Sequence, residues 1–182
     1  MPRAIIANEF GPPEAYEIRE HAAPAPGKGQ IRVAVKAIGI SYVDVLTAMG
    51  KYQVTPPLPF IPGSECAGVV EAVGEGVTNL AVGDRVMGSS FGGIFAEMGT
   101  FRVSSFNKVP DALTLQEAAV FPPSYTTGFH ALVDRGRLDR LRRAAIGVDE
   151  RAVEEPALRA HHEHHQIRDV FRLADACDLL GL

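Results

Sequence analysis

Between Ile31 and Ala37 the chain alternates: Ile31, Val33, Val35 and Ala37 are separated by Arg32, Ala34 and Lys36. A period of two with one polar face predicts a half-buried strand, because successive side chains of an extended chain point to opposite sides. Arg3 to Asn8, Tyr16 to His21, Gly68 to Val73, Asp84 to Met87 and Phe95 to Val103 read as further strands. Gly and Pro turns separate them, at Gly11-Pro12-Pro13, Pro24 to Gly29 and Gly74 to Gly76. Many short strands with frequent turn signals favour a barrel or sandwich over a doubly wound sheet, which gives a mainly β (α+β) class.

Three helices carry start signals. Ser41 with Asp44 three residues on, and Thr114 with Glu117, have the spacing of capping boxes, in which each side chain satisfies the other residue's orphan N–H. A third helix is predicted to begin after Pro122-Pro123 and to include Phe129, Leu132 and Val133. Beyond about residue 137 the pattern turns helical. Ile167, Val170, Phe171, Ala174 and Cys177 recur at spacings of three and four, with charged residues filling the other face.

Composition divides the chain at the same place. All four lysines precede residue 135, whereas nine of the fourteen arginines follow residue 134, and five of six histidines fall at or after His130. The chain therefore reads as residues 1–135 plus a tail, 136–182. A net charge of -4 argues against a general nucleic-acid or anionic-membrane binder. No run approaches the roughly 20 apolar residues that span a bilayer, and the N-terminus has no signal-peptide pattern. A cytoplasmic location is the expectation. Cys66 and Cys177 suggest no disulfide framework and read as inert thiols. His161, His162, His164 and His165 invite a metal reading, but the His-Glu-x-x-His pattern fails at Gln166 and no second ligand cluster follows. A solvated stretch is the plainer account, and no metal site is expected.

Three segments carry a family resemblance: Gly39-Ile40-Ser41-Tyr42-Val43-Asp44, then Pro59 to Val70 with Gly63-Ser64-Glu65 at its centre, then Val82-Gly83-Asp84-Arg85-Val86. Gly93 to Glu97 and Pro122 to Leu132 continue the match. In order and spacing the chain resembles the GroES-like catalytic domain of the medium-chain dehydrogenase/reductase superfamily. The implied fold is a partly open β-barrel with short helices, here with a C-terminal helical tail. Zinc-dependent relatives would carry Cys at the position of Ser41 and His at that of Ser64, and serine hydroxyls are poor replacements for thiolate and imidazole. Together with Gly50-Lys51-Tyr52-Gln53, this resembles the zinc-free quinone oxidoreductase branch, in which hydride passes from NADPH to a quinone or enone.

The resemblance implies roles residue by residue. Ser41 and Tyr52 would be catalytic, Ser41 facing the nicotinamide and Tyr52 near the cofactor or substrate, and Thr127 would join them in binding the cofactor; donors of this kind orient the reactants and can stabilise a developing oxyanion. Each has a plainer reading, as a helix cap, a half-buried aromatic and a helix-packing residue respectively. Asp44 and Glu65 match acidic positions that support the metal in zinc-bearing relatives, and here are expected to make local hydrogen bonds. The resemblance stops after Leu138. No Gly-x-Gly-x-x-Gly follows, so the Rossmann half is expected to be missing, and the chain alone is not expected to bind NADPH. The tail is either an evolved helical cover or the product of a frameshifted or fused reading frame. An oxidoreductase domain that is not active alone is the leading expectation, working with a quinone or enone and with self-association or a cofactor-binding partner chain. The alternative is a non-catalytic GroES-like binding or assembly module, or a decayed remnant.

Overall fold

The computed structural model describes residues 1–135; the expected helical tail at 136–182, with its apolar stripe and histidines, lies outside the described residues. Strand β1 (Arg3–Ile6) pairs antiparallel with β2 (Glu17–Glu20) as a two-stranded ribbon. A five-stranded antiparallel sheet follows from β3 (Gln30–Gly39), β4 (Glu65–Val73), β5 (Arg85–Ser89), β6 (Met98–Arg102) and β7 (Phe106–Lys108), in the order β6-β3-β4-β5-β7. Helix α1 (Tyr42–Ala48) leads out of β3, and α2 (Leu115–Phe129) lies against β3, β4 and β5.

The two edge strands, β6 and β7, are joined by a single turn at Val103–Ser105, and their Phe101 and Phe106 rings stack at 5.1 Å. The sheet must therefore curl until its edges approach, yet no ladder joins β6 to β7. This is the partly open barrel that the resemblance implied. Inside the curl Ile31, Val33, Val35, Val70, Val86, Phe95 and Phe101 form the main core. Ala37, Ala67 and Met87 form a second one with Ala118 and Ala119 of α2.

That division corrects the simple alternation read from β3. Ile31, Val33 and Val35 share the main core, whereas Ala37 belongs to the second. Val35 pairs with Gly68 and Ala37 with Ala67, which leaves Lys36 as an extra residue. One inserted residue exchanges the faces of everything beyond it. After this bulge it is Ile38 and Ile40 that pack on the main core.

Other boundaries also move. The strand expected over Phe95 to Val103 is regular only from Met98 to Arg102, because Phe95 turns to accept from the Ile5 amide at 2.8 Å. Strand β7 had no pattern of its own, being three residues long. The separate third helix is not formed. Pro122 and Pro123 lie within α2, which runs on through Phe129 into a π-helical turn, His130–Arg135. Two prolines delete two helical N–H donors, but the buried Ala118 and Ala119 hold the preceding turn, and the Thr126 hydroxyl donates to the Pro122 carbonyl.

Candidate functional site

The start of α1 is fixed by its own side chains. Asp44 Oδ2 accepts from the Ser41 amide at 2.7 Å and from the Ser41 hydroxyl at 3.1 Å, completing the expected capping box. The Ser64 hydroxyl bonds the same carboxyl. Asp44 is only 3% exposed, so burial raises its pKa, while the amides and hydroxyls directed at it pull the other way. Ser64 is in turn held by its carbonyl, which accepts from the Ser90 amide at 2.9 Å. Three distant stretches, α1 and the loops 49–64 and 89–93, are thereby stapled together.

Between them opens a small cleft of about 40 Å³. Asp44, Ser64 and Ser90 give it polar groups, Tyr52 gives it a phenol, and Val54 and Phe60 are among its apolar walls. Phe91, 82% exposed, stands at the lip, and on its other side a broad open groove reaches Ile6, His21 and Pro57. Gly63 forms part of the cleft wall with φ +98°, and a Cβ there would lie 2.3 Å from the Phe95 ring. No side chain larger than glycine fits.

Behind Asp44 lies Glu65, 5% exposed, paired across the sheet with Gly39. Its carboxyl occupies the space a side chain at position 39 would take, since a Cβ on Gly39 would meet it at 2.5 Å. Oε2 has no hydrogen-bond partner in the structure. Burial, and next the Asp44 charge, push the Glu65 pKa from 4.5 up to about 7. Asp44 makes the local hydrogen bonds expected of it, whereas Glu65 Oε2 is left without one. Cys66 is fully buried and its thiol is pushed up to about 12, by burial and then by the Glu65 charge, as suits an inert core residue. Cys177 lies outside the described residues.

Of the sequence-selected residues, Tyr52 lines the cleft and Ser41 reaches it through Asp44. Thr127 is exposed on α2 and is not among the cleft-lining residues. The joint role of Asp44 and Ser64 was not legible beforehand, although both stand in the segments that carried the resemblance. Among the described residues no group of three His, Cys, Asp or Glu side chains is placed to hold a metal ion. Both regular helices begin in capping boxes, in which Asp44 and Glu117 accept from the amides of the cap residues Ser41 and Thr114. No helix among the described residues is long and apolar enough to cross a membrane.

Residues 27–111 match the alcohol dehydrogenase GroES-like domain family. The synaptic vesicle membrane protein VAT-1 homolog of Rattus norvegicus is 38% identical over 138 residues, 75% of this chain and 34% of that protein. The quinone oxidoreductase-like protein 2 homolog of Nematostella vectensis is 39% identical over 137 residues, 75% of this chain and 37% of that one. Among solved structures, a native mycobacterial quinone oxidoreductase superposes with a TM-score of 0.71 at 35% identity, over 77% of this chain and 43% of its own. The Escherichia coli quinone oxidoreductase complexed with NADPH gives 0.65 at 28%, over 71% and 40%. The chain spans about a third of the length of the curated relatives it matches.

Proposed function

Since the chain belongs to the medium-chain dehydrogenase/reductase superfamily and carries its GroES-like domain in the quinone oxidoreductase-like branch, we propose that its cleft is the acceptor-binding wall of a hydride-transferring oxidoreductase. The acceptor is a quinone or an enone, and NADPH is the implied donor, as one solved relative is complexed with it. The observation that carries this reading is the cleft itself: an apolar slot with the Tyr52 phenol among its walls, at the meeting point of the segments that define the family. A phenol in such a place can donate to an oxygen that gains charge as hydride arrives.

No zinc takes part in this proposal. The serines at 41 and 64 supply hydroxyls already committed to Asp44, a donor set unlike the thiolate and imidazole that zinc prefers. The sequence carries no Gly-x-Gly-x-x-Gly turn to cradle a diphosphate, so in this reading the 182 residues supply the acceptor side only and are inactive by themselves. The missing glycine-rich turn favours a second reading, a GroES-like module that binds a small molecule without turning it over. Titration with NADPH, followed by nicotinamide fluorescence with and without menadione, tests the proposal. No saturable enhancement is expected from the chain alone, while menadione should perturb NMR signals of residues around Tyr52 and Ser64. Saturable NADPH binding would refute the cofactor claim, and menadione shifts elsewhere would refute the acceptor wall.

A further inference from the structure

Resting on the reading of the cleft as an acceptor wall, we infer that the groove beyond Phe91 is the second half of the acceptor site. It takes an apolar chain carried on the acceptor's ring, and Phe91 is the residue that selects for that chain. Size forces the division. The cleft holds about 40 Å³, whereas a cavity that admits a single benzene ring measures about 150 Å³. Only the oxygen-bearing edge of a ring enters the cleft, and the body of the ring stays at its mouth. The groove holds about 500 Å³ and shares Pro56, Phe60, Phe91 and Gly92 with the cleft, so the two form one continuous surface. A compact monocyclic acceptor would leave most of that room unfilled.

The lining of the groove sets the chemistry of its occupant. Ile6, Ile61 and Phe60 supply apolar surface together with Pro56, Pro57 and Pro59, and prolines have no N–H to donate. Among the described residues that line it, His21 is the one titratable side chain. A charged substituent would shed water there with few partners to replace it. Phe91 stands between the two spaces with its ring 82% exposed, although its backbone is held on both sides. The Ser90 amide donates to the Ser64 carbonyl at 2.9 Å, and the Gly93 amide to the Ile61 carbonyl at 2.7 Å. A ring carried on a pinned loop loses little freedom when a ligand covers it. A ligand that occupies both spaces must bend round that ring. A flexible alkyl or prenyl chain makes the turn, whereas a rigid fused ring system collides with the lip. The preferred acceptor is a chain-bearing quinone or enone.

The test uses the complete 182-residue chain without nucleotide, titrated by NMR with acetophenone, 4-butylacetophenone and 2-acetylnaphthalene. The last two add the same number of carbons to the first, one as a flexible chain and one as a rigid ring. A fully buried methylene is worth about fourfold in affinity, so four methylene-sized carbons half covered by an open groove give about fifteenfold. The butyl ligand should gain that factor over acetophenone and shift the signals of Ile6, His21 and Ile61, while the naphthyl ligand stays within about threefold. Phe91→Ala should bring the butyl ligand within about threefold of acetophenone, and Phe91→Leu should keep most of the preference. The ring of Phe91 is exposed, so neither variant endangers the fold. Equal affinity for acetophenone and the butyl ligand would overturn the inference while leaving the acceptor wall standing. So would an equal gain from the naphthyl ligand, or a butyl preference that survives Phe91→Ala. Groove signals that move on dilution without ligand would show a second copy of the chain in the groove, and would overturn it too. Absence of saturable shifts at Tyr52 and Ser64 with all three ligands would overturn both the inference and the acceptor wall.

Discussion

Replacing Glu65 with Gln should stabilise the protein, and increasingly so as the pH rises. The native carboxyl ionises near 7 rather than 4.5, so between those values the folded chain holds a proton that the unfolded chain has released. Stability contributed in this way is present below the unfolded value and is lost as the pH climbs through the folded one. At about 1.4 kcal/mol per pH unit, a displacement from 4.5 to about 7 corresponds to roughly 3 kcal/mol. The cost of Glu65 is then under about 1 kcal/mol at pH 5 and approaches about 3 kcal/mol by pH 8. Gln carries no charge to bury, and its amide can donate toward the Asp44 carboxylate beside it. Urea unfolding of both proteins at pH 5, 6, 7 and 8 isolates the Glu65–Asp44 pair, because titrating groups that do not interact with Glu65 cancel in each comparison. A gap that widens from under about 1 to about 3 kcal/mol is expected, with unchanged m-values. A constant gap, or a Gln variant less stable than the parent at pH 8, would refute the reasoning that Glu65 is buried beside a second charge without a partner.

Two further outcomes follow from the packing around the cleft. Gly63→Ala should cost about 2–4 kcal/mol in urea unfolding, since it combines a positive φ of +98° with a Cβ 2.3 Å from the Phe95 ring; a loss under about 0.5 kcal/mol would show that the loop yields freely. Cys66, with its thiol near 12 and no exposure, should resist iodoacetamide in the native protein at pH 8 and be modified only after denaturation, as read by peptide mass mapping; native labelling at that peptide would contradict its burial.

Local chemistry was readable wherever a few neighbouring residues decide the outcome. The capping boxes at Ser41 and Thr114 depend on residues three apart, and both formed as read. The odd-numbered face of β3 was legible as far as Val35, where the bulge at Lys36 takes over. A bulge leaves no mark in one strand's sequence, because it exists only in relation to the strand opposite. The continuation of α2 through Pro122 and Pro123 escaped for a similar reason: the anchoring contacts of Ala118 and Ala119 come from β-strand residues more than thirty positions upstream.

By itself the sequence determined the first face of β3, the starts of α1 and α2, the glycine turns and the family to which residues 27–111 belong. Each of those is written in residue order and needs no distant partner. Only the tertiary structure decided that the Ser41 and Ser64 hydroxyls both turn to Asp44, that Glu65 is left without a partner over Gly39, and that Thr127 stands exposed outside the cleft. The physical reason is that charge, hydrogen-bond direction and burial depend on distances in space. The curl of the sheet brings residues 41–64 and 90–92 around one small volume that no spacing along the chain describes.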